Sequence, residues 1–185
     1  MQMLEKYLIE YCAPTLASLK PANLFSFTVT DEQEYESQLE RMNQWLQRKG
    51  LFLMELRRRG AKALVYICRR SQLQKVLQGA DIREFLRHYG YQDMDLDASL
   101  ERLKSRLAES EDFPHEIGVF LGYPLGDVIG FIQNGGKNCK CSGCWKVYCD
   151  ECEAQKLFAR FTRCRNVYTR LWNEGRSIWK LTVAA

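Results

Sequence analysis

The sequence predicts an α+β fold, with a small mixed or antiparallel sheet of about four strands and six or seven helices in a single domain of residues 1–185. Apolar residues at helical spacing dominate the chain, which makes helix its main secondary structure. Three short β-patterned runs fall in the first 70 residues and a fourth lies near residue 145, so the strands are few. The 185 residues, 46% of them hydrophobic, suffice for one buried core.

The N-terminal part of the chain is predicted to alternate between helix and strand. Residues 3–12 have the pattern of a short helix, which we expect Pro14 to stop. Residues 23–28 form an apolar and aromatic run that is typical of a strand. Thr30 and Gln33 then fit a capping box, in which each side chain binds a backbone N–H at the start of a helix.

Two apolar runs, residues 51–56 and 63–68, are predicted to pair as an antiparallel hairpin. Gly60 lies between them and can adopt the positive φ that a tight turn needs. Gly50, just before the hairpin, is expected to end the helix that Thr30 opens. Ser71, just after it, is expected to cap the next helix.

The second half of the chain is predicted to be mainly helical. Residues 81–89 and 98–109 have helical spacing, and residues 125–133 form a short helix that Asn-Gly-Gly at 134–136 breaks. Residues 145–149 alternate as a strand does. The features that close this half are the cap Asp150, the long helix that it opens, the end of that helix at Gly175, and a tail at 177–183.

The formal net charge of +4 is mild, so the composition does not indicate the strongly basic surface of a typical nucleic-acid-binding protein. The apolar runs are too short for a transmembrane helix, and the first residues lack the apolar core of a secretory signal. A cytoplasmic location is therefore expected. In a reducing cytosol, clustered cysteines are ligands or redox thiols more often than disulfides.

Five of the eight cysteines lie in residues 139–152, the segment with the strongest chemical signal. Two Cys-x-x-Cys pairs suggest a four-cysteine zinc site, but an extended strand at 145–148 would separate Cys144 from Cys149 by about 16 Å. Thiolates on one Zn²⁺ lie roughly 4 Å apart, so a single ion cannot take both pairs. We therefore expect the cluster to divide into two groups.

The first group is predicted to bind Zn²⁺ or an iron–sulfur cluster, and its ligands would be Cys139, Cys141, Cys144 and His115. The second group is Cys149 with Cys152, which is predicted to lie at a helix N-terminus as a redox pair does. There the helix dipole lowers the pKa of a thiol. The two acidic residues between these thiols oppose that effect. Packing in the core is the alternative for any cysteine, and we expect it for Cys12, Cys68 and Cys164.

His115 and Glu116 precede a short helix whose backbone is constrained by glycines and prolines. They could form a general acid/base or ligand pair, with Tyr123 as a further donor and an arginine such as Arg70 for a small anionic substrate. The alternative is a histidine that only caps a helix.

Basic residues suggest an anion site on two elements. Arg69 and Arg70 precede the helix that Ser71 is expected to open, which is a favourable place for a phosphate or carboxylate. Arg160 and Arg163 belong to a basic stripe along the last long helix. The alternative is a helix face that only meets solvent.

Several segments together resemble one known family. They are residues 12–17, 20–26, 65–70, 113–124 and 144–148, which occur in this order over nearly the whole chain. On them the chain resembles the DUF3793 family, a group of proteins of unknown function from anaerobic Firmicutes and their relatives. The resemblance implies a bacterial cytoplasmic protein of an anaerobe, and it assigns no catalytic residue.

Three functions remain open at this point. The first is a protein that binds a metal ion or an iron–sulfur centre through its cysteine-rich loop. The second is an enzyme that acts on a small anionic substrate. The third is a metal-free thiol protein that works in redox reactions or in an interaction with a redox partner.

Overall fold

Three antiparallel strands form the central sheet of the computed structural model, which describes residues 2–93, 95–109 and 113–184. The strands are β1 (Ala22–Thr28), β2 (Leu51–Arg59) and β3 (Lys62–Arg69), in the order β1-β3-β2. Gly60, with a φ of +54°, makes the tight turn between β2 and β3. The predicted hairpin and the predicted strand at 23–28 are therefore confirmed.

Nine helices and a second, two-stranded sheet complete the described residues. The helices are α1 (Gln2–Leu16), α2 (Glu32–Gln47), α3 (Arg70–Leu77), α4 (Ala80–Arg87), α5 (Leu96–Glu109), α6 (Ile117–Phe120), α7 (Leu125–Gln133), α8 (Glu151–Asn173) and α9 (Ile178–Leu181). The second sheet pairs β4 (Cys141–Ser142) antiparallel with β5 (Lys146–Val147). The predicted α+β class is confirmed, although strands and helices are both more numerous than expected.

The central sheet is covered on both faces, because alternate residues of β3 point to opposite sides. Val65 and Ile67 belong to one core with α1 and α2, whereas Tyr66 and Cys68 belong to a second core with α3, α5 and α6. The fully buried Tyr66 donates its hydroxyl to the carbonyl oxygen of Phe120 at 2.7 Å. The sheet thereby fixes the position of α6 and of the chain that follows it.

The first predicted helix boundary is wrong, because Pro14 lies inside α1, which continues to Leu16. A proline near a helix C-terminus removes one N–H but leaves the carbonyls of the last turn able to accept. The backbone N–H of Ala17 still donates to the carbonyl of Ala13 at 2.8 Å. The helix therefore passes through the proline and ends one turn later than expected.

Two predicted helix caps are also wrong. Asp31, not Thr30, caps α2, and its carboxylate accepts the backbone N–H of Glu34 at 2.9 Å. An aspartate one residue nearer the helix reaches that N–H with extended backbone, so the capping box is not used. Ser71 lies in the first turn of α3, whose N-cap residue is Arg69.

The C-terminal half agrees more closely with the sequence pattern. The bounds of α7 are as predicted, and Asp150 caps α8 by accepting the backbone N–H of Glu153 at 3.0 Å. The strand expected at 145–149 is confined to β5, while β4 and α9 were not predicted. Within the described residues, none of the helices combines the length and apolar composition that a membrane span requires.

Candidate functional site

The β4–β5 hairpin is anchored to α7 by one buried carboxylate. Asp127, only 3% exposed, accepts the indole N–H of Trp145 on Oδ2 at 2.8 Å. Its Oδ1 accepts the backbone N–H groups of Tyr148 and Cys149, each at 2.8 Å. Three donors compensate for the desolvation of this charge, so the contact fixes the hairpin instead of leaving an unpaired ion.

Two glycines on the same face of α7 allow this close approach. A Cβ atom at Gly126 would overlap the sulfur of Cys149, and one at Gly130 would lie 2.6 Å from the Cβ of Tyr148. The two positions are four residues apart, which places them one above the other on the helix. The end of the hairpin therefore packs directly on the backbone of α7.

A cavity of about 380 Å³ lies between α6, α7 and the hairpin. Aromatic rings form much of its wall, and they belong to Phe113, Tyr123, Phe131 and Trp145. The polar side chains that line it are His115, Tyr123, Asp127, Ser142 and Lys146. The residues that line it come from the loop after α5, from α6, α7 and the chain between them, and from the hairpin, so several separate segments create the cavity.

The rings of the wall hold one another in place. Tyr123 and Trp145 stack with centroids 4.9 Å apart and an interplanar angle of 27°. His115 meets the edge of Phe131 at 4.9 Å, and Trp145 meets Phe158 of α8 at 4.6 Å. Offset and edge-to-face contacts at these distances are favourable, so the cavity has rigid walls before any ligand enters.

A lysine that the sequence pattern did not single out lies behind one of these rings. Lys20 is only 5% exposed, and its Nζ lies 4.9 Å from the ring centroid of Tyr123. Burial lowers the pKa of Lys20 to about 8, while the nearby Cys144 thiol opposes that shift. The adjacent Pro21 packs against Gly122, whose φ of +72° and lack of a side chain admit the proline ring. The sequence gives no signal of this burial beyond the proline beside it.

The structure places His115 and Tyr123 at the cavity but directs Glu116 elsewhere. Glu116 is 1% exposed and accepts hydrogen bonds from Nε of Arg106 and, at 3.4 Å, from the hydroxyl of Tyr91. His115 lines the cavity, whereas Glu116 does not and is buried against Arg106 and Tyr91. The carboxylate therefore stabilises the packing of α5 against α6.

The five clustered cysteines do not converge on one point. Across the described ranges, no set of three or more His, Cys, Asp and Glu side chains is arranged to hold a metal ion. Cys144 lies near Lys20 and Tyr123, whereas Cys141 lies near Glu151, whose negative charge helps to raise the pKa of the Cys141 thiol. Cys139 lies near Cys141, but among the described residues no contact joins either thiol to His115, so metal binding by Cys139, Cys141, Cys144 and His115 stays a prediction.

The Cys149 thiol before α8 does not have the lowered pKa considered above. Cys149 and Cys152 are exposed, and partial desolvation together with the carboxylate of Asp127 raises the pKa of Cys149. A raised pKa makes the reactive thiolate scarcer at neutral pH. All eight cysteines are free, and the burial expected for three of them is confirmed: Cys12, Cys68 and Cys164.

The arginines proposed for an anion site have separate partners. Arg69 is 1% exposed and donates to the carbonyl oxygens of Thr15, Leu16 and Val183 at 2.7 to 2.8 Å. Arg70 forms a bidentate pair with Asp97, with both distances 2.8 Å. The remaining members of that set, Ser71, Arg160 and Arg163, are exposed on α3 and α8.

Comparison with known proteins gives one finding. A family model described as "Protein of unknown function (DUF3793)" matches residues 8–182, which is nearly the whole chain. No curated protein matches the chain, and no solved structure does so either.

Proposed function

Since the chain belongs to the DUF3793 family, whose description assigns no activity, we propose a function from its geometry: the protein binds a small planar organic molecule. The observation that carries this proposal is the aromatic-walled cavity between α6, α7 and the β4–β5 hairpin. Binding sites for small molecules are typically concave and apolar, with a few polar groups that fix orientation. This cavity has that composition.

The size and walls of the cavity limit the ligand to a small flat molecule. About 380 Å³ is near the lower end of the range for ligand pockets, so one or two fused rings fit better than an extended cofactor. The rings of Phe131 and Trp145 are part of the wall that such a molecule would contact. Each good aromatic contact contributes about 1 kcal/mol beyond the burial of apolar area.

The proposal concerns binding and includes no catalytic step. His115 lies at the cavity, but Glu116, its expected partner in general acid/base chemistry, is held by Arg106 and Tyr91. No second carboxylate among the described lining residues accompanies Asp127, whose two oxygens already accept three hydrogen bonds. The geometry therefore favours recognition over proton transfer.

Calorimetric titration with two-ring probes tests the proposal. The probes are 1-naphthoate, 1-naphthamide and indole, applied to the wild-type chain and to Phe131→Leu, which removes one wall of the cavity. Phe85→Leu is the matched control, because Phe85 is a partly buried aromatic of α4 that does not line the cavity. We expect at least one probe to bind, and Phe131→Leu to weaken it by roughly fivefold to tenfold.

The same probes must stabilise the folded chain. A probe at ten times its dissociation constant raises the free energy of unfolding by about 1.4 kcal/mol, which a thermal melt detects. Absence of binding by all three probes at millimolar concentration, or equal affinities for Phe131→Leu and Phe85→Leu, would show that the cavity is not the binding site.

A further inference from the structure

The polar groups of the cavity differ in the hydrogen bonds that they still have to offer. Asp127 is the one carboxylate among the described residues that line it, and both of its oxygens are occupied by Trp145, Tyr148 and Cys149. A carboxylate offers about four lone-pair sites, so the hairpin already uses three of those of Asp127. Most of the acceptor capacity of this carboxylate is therefore spent on the protein itself.

Lys146 has the opposite character. Its ammonium group donates to the carbonyl oxygen of Gly136 at 2.6 Å and lies 5.9 Å from the ring centroid of Phe131. An ammonium group carries three N–H donors, so two remain for a ligand. Within the described ranges, no carboxylate lies within ion-pair distance of Lys146. Its charge at the rim of the cavity is not neutralised by a neighbouring side chain.

We infer that the ligand of this cavity is a planar aromatic anion, with a carboxylate as its simplest charged group, and that Lys146 binds that group. This inference rests on the proposed function. The rings of the ligand lie among Phe113, Phe131 and Trp145, and the carboxylate reaches the rim where the ammonium group of Lys146 lies. A charge-assisted hydrogen bond between them is stronger than one to a neutral group.

A second positive charge lies against the ring of Tyr123. Lys20 contacts that ring but does not line the cavity, and among the described residues it has no acidic partner within ion-pair distance. Charges in a weakly polar interior act over longer distances than they do in water. Lys20 therefore offsets part of the negative charge that Asp127 brings to the cavity, without touching the ligand.

A comparison of isosteric probes separates this inference from the proposed function. The carboxylate 1-naphthoate and the amide 1-naphthamide have the same rings, and both are titrated into the wild-type chain and into Lys146→Gln. Lys137→Gln is the matched control, because Lys137 is an exposed lysine in the loop before the hairpin and does not line the cavity. We expect Lys146→Gln to weaken 1-naphthoate about fivefold and to leave 1-naphthamide unchanged.

Salt provides the second measurement. Raising the ionic strength from about 0.05 M to about 0.5 M should weaken 1-naphthoate severalfold and leave the amide unaffected, because the rim is accessible to ions. Equal affinity of the two probes for the wild-type chain, or equal losses in Lys146→Gln and Lys137→Gln, would overturn the inference while leaving ring binding intact. Failure of both of these probes and of indole to bind would instead remove the proposed function.

Discussion

The central sheet and the β4–β5 hairpin are both antiparallel, but different forces hold them. The strands of the sheet have seven, nine and eight residues, and apolar clusters cover both of its faces. The strands of the hairpin have two residues each. So short a ribbon is not stable by itself. Its position depends on the carboxylate of Asp127 and on the close approach at Gly126 and Gly130.

This difference concentrates the support of the hairpin in a few contacts, whereas that of the sheet is spread over two large cores. Loss of a contact under the hairpin therefore destabilises the domain and also displaces the wall that Trp145 and Lys146 provide. The ring contacts of Trp145 and the hydrogen bonds to Asp127 therefore hold this wall of the cavity in place.

The largest expected effect comes from Asp127→Asn. An asparagine keeps one acceptor but turns an NH₂ group towards the donors of the hairpin, so we expect a loss of about 4 kcal/mol in the free energy of unfolding. Asp97→Asn is the matched control near the sheet. It breaks an exposed pair with Arg70 and should cost less than ~1 kcal/mol. Urea denaturation of both variants measures the difference, and equal losses would contradict the role given to Asp127.

The next effect is a pH dependence at the junction of the two regions. The folded chain releases the Lys20 proton near pH 8, whereas the unfolded chain keeps it to about pH 10.5. Burial of the charged amine therefore destabilises the fold fully below pH 8, and this penalty is relieved as the pH rises from 8 to 10.5. Relative to Lys20→Met, the wild-type chain should gain up to ~3 kcal/mol over that window. Parallel stability curves for the two chains would show that Lys20 is not buried beneath the hairpin.

A smaller effect is expected where the hairpin meets α7. Gly126→Ala places a methyl group against the sulfur of Cys149 and should cost about 2 kcal/mol, despite the better helix propensity of alanine. Cys149→Ala removes that sulfur, so the double variant should recover most of the loss. Denaturation of the two single variants and the double variant measures this coupling. A Gly126→Ala chain as stable as the wild type would show that the sulfur of Cys149 does not pack closely on the backbone of Gly126.

The smallest effect compares two equivalent helix caps. Asp31 caps α2 beside the sheet, and Asp150 caps α8 directly after the hairpin. Replacement of either by alanine should cost about 1 kcal/mol. Only Asp150→Ala is expected to change the affinity for a cavity probe, because it loosens the chain that follows Trp145 and Lys146. Titration calorimetry with a cavity probe measures this affinity in both variants. An equal change in the two variants would contradict the difference expected between the two caps.

The sequence predicts the sheet well because its signals are local. Alternating apolar residues and a glycine at the turn are enough for the β2–β3 hairpin. The short β4 strand escapes prediction, since two residues carry no alternation and their pairing depends on the α7 surface. The helix boundary expected at Pro14 is wrong because it also depends on distant contacts. The packing of α1 against the sheet and α8 maintains the helix through the proline.

The site is predicted less completely than the fold. His115 and Tyr123 were chosen from local composition and do line the cavity, whereas Glu116 on the same turn does not. Asp127 reads in the sequence as an ordinary acidic residue of a first helical turn. Its role depends on donors that lie 18 to 22 residues further along the chain. Cysteine spacing likewise carries no information about the direction in which each thiol points.

Mapping of amide chemical shifts by two-dimensional ¹H–¹⁵N NMR tests most directly whether the cavity binds a ligand. The wild-type chain is titrated with 1-naphthoate, and every assigned amide of the sheet and of the hairpin is followed. Shifts confined to residues 113–131 and 142–149, with the β1–β3 amides unchanged, are the predicted result. Shifts centred on the sheet or on α2, or binding with no shift around the cavity, would contradict it.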